Sequence, residues 1–173
     1  MIDTKSWFCD NIKKLENGMY RLSYSILRNE ADVEDAVQET ICRAYKELDN
    51  LKDKQKFKSW IYRILQNTSF EILNGKKHCL NIEDENIQAD KTDVDTELTI
   101  WNAVQKLDNP YRTVITLFYY EDLSIKEISK ITGSKVDAIK KQLSRGREKI
   151  KEIIKIWNFC KIWRLKKQLK VKM

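Results

Sequence analysis

Apolar residues recur along the chain at steps of three and four. Ile12, Leu15, Met19, Leu22 and Ile26 form one such stripe over residues 12–28, the spacing of a single helix face. A second helix is expected from about 30 to 49, with Val33, Val37, Ala44 and Leu48 inward, and a third from about 57 to 74, with Phe57, Trp60, Ile61, Ile64 and Ile72 inward. Three amphipathic helices with short connections bury their stripes on one another as a bundle. Over 75–97, GKKHCLNIEDENIQADKTDVDTE, the period is lost and acidic and amide groups gather, as in a linker. Helical spacing resumes at Leu98, Trp101 and Val104. Asn109-Pro110 then punctuates the chain. Asn is expected to cap, and Pro to take the first position of a short apolar helix over 110–120, where its missing N–H costs nothing.

Residues 124–150, SIKEISKITGSKVDAIKKQLSRGREKI, carry the densest local signals. Ser124 and Glu127 have capping-box spacing and start a helix whose buried face is Ile125, Ile128 and Ile131. Thr132-Gly133-Ser134 breaks it, with Gly133 supplying the positive φ of a tight inter-helix turn. Ser134 and Asp137 repeat the capping spacing ahead of a second helix. Val136, Ile139 and Leu143 turn inward there, leaving Lys135, Lys140, Lys141, Ser144 and Arg145 outward. Two helices joined by a short Gly-containing turn, the second basic on its free face, make a helix-turn-helix suited to the major groove. An ordinary helical hairpin with a Lys-rich solvent face is the plainer alternative.

Composition narrows the field. The 173 residues include one Pro and four Gly, too few for the turns of a many-stranded sheet, so the fold class is all-α. His78 is the single histidine and the four cysteines form no C-x-x-C pair, which excludes a multi-His metal site and suggests neither a zinc ribbon nor a disulfide framework. Reduced thiols and a cytoplasmic location are expected, and neither a signal-like apolar start nor a run of about 18 apolar residues occurs. The net charge of +7 is uneven. Residues 1–50 carry 7 basic and 10 acidic groups, 51–80 carry 7 and 2, 81–100 carry 1 and 7, and 101–173 carry 18 and 7. Two basic blocks around an acidic one suit two nucleic-acid contacts joined by a segment that repels nucleic acid; solvated Lys-rich faces are the alternative.

With these features in place, a resemblance is specific. YRLSYSILRNEADVEDAVQETICRAYKELDNL, FKSWIYRILQNTSFEIL and LDNPYRTVITLFYYEDLSIKEISKITGSKVDAIKKQLSRGREKIKE resemble, in order and spacing, the two conserved blocks of bacterial sigma factors of the extracytoplasmic-function group, which have only domains two and four. The match spans about 12–75 and 98–155; residues 1–11 and the tail after 155 carry no part of it. The implied organisation is sigma domain two over 1–77, an acidic linker over 78–97, sigma domain four over 98–156 and a basic amphipathic tail over 157–173. The tail, IWNFCKIWRLKKQLKVKM, reads first as a helix extension, with phosphate binding or a membrane surface as alternatives.

The resemblance implies a function: a dissociable subunit that binds core RNA polymerase and directs promoter −10 and −35 recognition and DNA melting, without catalysis, cofactor, metal or small-molecule substrate, and held in check by an anti-sigma factor. On the second helix it implies a polymerase-binding surface at Asp35, Gln38 and Glu39; the helical rotation places Asp35, Glu39 and Cys42 outward, away from Val37, with Gln38 on their flank. For the single-stranded −10 element it implies Lys56, Phe57, Lys58, Arg63 and Asn67, with Lys54 a further backbone contact; an amide can read an extruded base while Arg holds phosphate. Trp60 lies in the apolar stripe and is assigned to the core. For the duplex −35 element it implies Lys135, Lys140, Lys141, Ser144 and Arg145. Two rivals remain at this point. One is a stand-alone helix-turn-helix operator-binding regulator. The other is a nuclease holding Mg²⁺ on Glu83, Asp84 and Glu85, which a linker does not fix in octahedral geometry.

Overall fold

The computed structural model describes residues 4–79 and 96–154, with side chains over 4–76 and 100–154. Helices α1 (Thr4–Leu27), α2 (Glu30–Lys46) and α3 (Phe57–Cys79) form a first unit; α4 (Thr96–Gln105), α5 (Tyr111–Ile115), α6 (Ile125–Thr132) and α7 (Val136–Ile154) form a second. Among the described residues there is no strand. Short 3₁₀ turns at Leu48–Asn50 and Lys54–Lys56 link α2 to α3, and α5 runs on into a π-helical turn over Thr116–Tyr120.

The stripes read from the sequence form the first core. Met19, Leu22 and Ile26 of α1 meet Val33, Ala36 and Ala44 of α2 and Ile61, Tyr62 and Leu65 of α3, all buried. Ser23 and Ser69 pair their hydroxyls at 3.2 Å between α1 and α3, so two small polar residues let the helices approach while satisfying each other. At the α1–α2 corner Asn29 accepts the Asp32 N–H at 3.1 Å as the α2 N-cap. Asp32 in turn receives Lys76 on both carboxylate oxygens, at 2.6 and 2.7 Å, tying α2 to α3.

Several boundaries differ from the sequence expectation. α1 begins at Thr4 rather than near 12, because Phe8 (3% exposed) continues the 12–15–19 stripe backwards and packs on Phe57 and Tyr45. α2 stops at Lys46, and α3 continues through Gly75 to Cys79, into the stretch read as linker. Asn109 does not cap α5: the helix starts at Tyr111 after Pro110, and the Asn109 side chain instead accepts the Thr113 hydroxyl at 2.8 Å. Nor does Ser134 cap α7. The helix starts at Val136 with Lys135 O accepting the Ile139 N–H, and Asp137 pairs with Lys140 at 3.3 Å. The linker carboxylates Glu83, Asp84 and Glu85 and the tail after 154 lie outside the described residues.

In the second unit Leu107, Ile115, Leu117, Ile128, Ile139, Leu143 and Ile150 are buried together. Gly146 of α7 faces Ile115 so closely that a Cβ there would lie 3.0 Å from Ile115 Cγ1; the helix crossing requires its lack of a side chain. The two units touch: α6 packs on α3, and α5 with its π-helical turn packs on α1.

Candidate nucleic-acid and polymerase interfaces

The outward face of α2 presents Asp35, Gln38 and Glu39, all exposed, opposite the buried Val33, Ala36 and Thr40. The two carboxylates differ. Glu39 accepts Arg43 Nε at 2.7 Å, and Arg43 also reaches Glu71 of α3 at 2.7 Å. These bonds, Glu39 first and then Glu71, hold the Arg43 guanidinium even more firmly protonated than usual. Asp35 makes no ion pair among the described residues.

The approach to α3 is fixed by Asp53, which accepts the Gln55 N–H at 3.0 Å and pairs with Lys56 at 2.8 Å. Lys56, and then the Gln55 N–H, hold the Asp53 carboxyl below its ordinary range. Phe57 is only 4% exposed. It sits edge-on to Trp7 (5.0 Å) and Phe8 (5.8 Å), with Trp60 at 6.0 Å. Its ring is core here and offers no face to a base, a correction to the expectation above. The reason is the early start of α1: Trp7 and Phe8 cover the loop, and Lys54 lies over the Trp7 ring at 4.8 Å. Trp60 is half-buried at the edge of the same cluster.

Farther along α3, Arg63 and Asn67 are exposed one turn apart on a common face. Lys58 is drawn elsewhere: its Nζ donates to the Glu121 carbonyl at 2.6 Å.

The helix-turn-helix is built locally. The Ser124 Oγ accepts the Glu127 N–H at 3.3 Å, while Glu127 Oε2 accepts the Ser124 N–H at 2.8 Å, a reciprocal cap. Gly133 lies at φ +69°, and Ser129 donates to Ser134 O at 2.6 Å across the turn. Burial of Ile139, Leu143, Gly146 and Ile150 fixes the rotation of α7. Lys135, Lys140, Lys141 and Arg145 are thereby exposed, and Ser144 is half-buried.

Two charged residues that no sequence pattern marked are buried between or behind these helices. Arg112 is 5% exposed, and its Nη1 donates to Leu107 O at 2.8 Å and Gln105 O at 3.1 Å while its Nε donates to Ser25 O. Burial, with Arg28 nearby, pushes its guanidinium down to about 10. Glu121 is 3% exposed and takes the Tyr62 hydroxyl and Arg21. Among the described residues no cluster of three or more His, Cys, Asp or Glu is placed to hold a metal, and no helix is long and apolar enough to cross a membrane.

A helical bundle followed by a unit with a basic recognition helix defines an all-α, two-unit nucleic-acid-binding architecture. The family model for Sigma-70 region 2 matches residues 12–77 and that for Sigma-70, region 4 matches 97–150. The chain is 32% identical over 146 residues to the RNA polymerase sigma factor SigV of Bacillus subtilis, covering 83% of this chain and 88% of that protein. It is 32% identical over 163 residues to the ECF RNA polymerase sigma factor SigW of the same organism, covering 84% and 87%. Its fold is similar to that of the sigma factor RpoE of Bartonella quintana, solved in complex with the anti-sigma factor NepR (TM-score 0.69, 21% identity, 86% of this chain and 98% of that one). It is also similar to CnrH in complex with the cytosolic domain of CnrY (TM-score 0.65, 22% identity, 89% and 90%). The chain belongs to the sigma-70 family of RNA polymerase sigma factors, in the extracytoplasmic-function group with regions two and four.

Proposed function

We propose that this sigma factor divides promoter recognition among three helices and performs no catalysis of its own. α2 offers Asp35, Gln38 and Glu39 to basic groups of core polymerase. α3 offers Arg63 and Asn67, with Lys56 and Lys58 at its start, to the single-stranded −10 element. α7 offers Lys135, Lys140, Lys141, Ser144 and Arg145 to the duplex −35 element. Residues 1–77 act as the polymerase and −10 domain and 98–156 as the −35 domain, in the cytoplasm where polymerase works, under restraint by an anti-sigma factor.

The observation that carries the reading is α7: a basic free face whose orientation is fixed by Ile139, Leu143 and Ile150, behind a capped α6 and the Gly133 turn. Run-off transcription with core polymerase on a promoter library tests it, and defined transcripts from a subset of promoters are the expected result. Tight duplex binding by the free protein with no polymerase-dependent transcript would overturn it in favour of an operator-binding regulator.

A further inference from the structure

One arginine stands between the face of α2 offered to polymerase and the face of α3 offered to DNA. Arg43, in the last turn of α2, gives its Nε to Glu39 Oε1 at 2.7 Å and its Nη1 to Glu71 Oε2 of α3 at 2.7 Å. Glu39 lies one turn before it on the same helix, so that bond is local. The bond to Glu71 joins residues 28 apart and exists only because α2 packs on α3. On α3, Arg63, Asn67 and Glu71 follow at steps of four and are all exposed, so they form one line along the helix. Glu71 stands about 6 Å beyond Asn67 along the axis, and its side chain is 58% exposed. A carboxylate at that place repels any phosphate held by the Arg63–Asn67 face. Among the described residues Arg43 is its only ion-pair partner, so the cation that answers it comes from the other helix.

We propose that Arg43 is a positioning residue for the −10 contact: it cancels the Glu71 charge beside Asn67 and so lets the DNA backbone approach the exposed line of α3. The proposal rests on the reading of α3 given above. One guanidinium serves two carboxylates, so the Glu39–Arg43–Glu71 group carries a single net negative charge. Arg43 reaches Glu39 only at Oε1, which leaves the other oxygen for a basic group of polymerase. Without Arg43 the group would carry two negative charges. The one on Glu39 faces a partner that welcomes it, and the one on Glu71 faces a partner that does not. As an exposed pair, Arg43–Glu71 contributes little to stability; its effect lies in the field that DNA meets. A unit charge about 6 Å from a phosphate changes binding about threefold in bulk water and about tenfold at half that dielectric constant. Salt screens the effect.

Full-length variants test this. Arg43→Gln removes the cation, Glu71→Gln removes the charge it answers, and the double variant removes both together with the tie between α2 and α3. Core polymerase is saturated with each variant, and permanganate footprinting on a promoter recovered from the library reads −10 opening as holoenzyme is titrated. Arg43→Gln is expected to need about three- to tenfold more holoenzyme for half-maximal opening, with a smaller deficit as salt is raised. Glu71→Gln is expected to match or exceed wild type, and the double variant to return to within about twofold of it. Arg43→Lys keeps a charge beside Glu71 and is expected to open the promoter as wild type does. If Arg43 were only a structural tie, or bonded phosphate directly, the double variant would stay as poor as Arg43→Gln. That result overturns the proposal, as does unchanged opening in Arg43→Gln. Unchanged opening in Asn67→Ala would overturn the reading of α3 instead, and recovery in the double variant would still decide the role of Arg43.

Discussion

Replacing Arg112 with Met keeps the side chain's length and removes its charge and its donors. In the native protein the guanidinium gives hydrogen bonds to Leu107 O, Gln105 O and Ser25 O and makes no ion pair among the described residues. Hydrogen bonds from a charged group contribute about 1.5–3 kcal/mol each, so three amount to about 4.5–9 kcal/mol. Against this stands burial. A guanidinium brought from 12.5 to about 10 has lost about 3.4 kcal/mol of its preference for the charged form. The difference leaves Arg112→Met destabilised by about 1–6 kcal/mol, with a central value near 3. Its carbonyl partners include Ser25 O in the last turn of α1, where a cation is favoured by the helix dipole.

In urea unfolding followed by far-UV circular dichroism, an m-value of about 2 kcal/mol/M converts that loss to a midpoint about 1.5 M lower, with m unchanged. Arg112→Lys should fall between the two, because one ammonium does not span carbonyls approached from both sides of a planar fork. A midpoint for Arg112→Met equal to or above wild type would refute the reasoning. It would mean that desolvation outweighs the three bonds, as for buried ion pairs that well-packed apolar residues replace without loss.

Other predictions address titration and DNA contact. Burial, and then the charge of Glu121, raise the Tyr62 hydroxyl above its ordinary 10.0. Above that pH the unfolded chain binds fewer protons than the folded one, so this group's stabilising contribution, complete below pH 10, declines as pH rises. Wild type and Tyr62→Phe should show the same tyrosinate absorbance until alkaline unfolding; an extra tyrosine ionising in the folded wild type would contradict this. Asn67→Ala should spare duplex −35 binding and lower open-complex formation five- to a hundred-fold, corresponding to a base contact of about 1–3 kcal/mol. Permanganate footprinting checks it, and unchanged reactivity at saturating holoenzyme would remove Asn67 from the contact set. Lys140→Ala should relax preference at a −35 base, whereas Arg145→Ala, farther along α7, should weaken binding to all sequences and reduce the salt slope by about one. Competition binding on −35 variants at several salt concentrations separates them, and identical behaviour of the two would end the distinction.

What could be read in the sequence was what short-range physics decides. The Ser124–Glu127 reciprocal cap closes within four residues, and the φ of +69° at Gly133 follows from the turn itself. The Met19–Leu22–Ile26 stripe was legible because helical rotation places those positions on one side whatever they meet. Even the early start of α1 had a signal, since Phe8 lies four residues before Ile12 in the same series. The second cap was misplaced because the α7 rotation is set by Ile139 and Leu143 against their neighbours, moving the first turn by a residue.

The tertiary structure alone decided the fate of the charged and aromatic residues whose partners are remote in the chain. Phe57 stands at a loop–helix junction, where sequence allows either exposure or burial, and Trp7 and Phe8 settle it. Lys58 reads as a free cation until Glu121 accepts it. Arg112 finds Ser25 at a separation of 87 residues, and Arg21 finds Glu121 at 100. No local pattern marks an arginine or a glutamate for burial, because desolvation opposes it at every position alike. Burial becomes tolerable only where the fold assembles enough donors and acceptors around the charge, and that depends on which helices pack together.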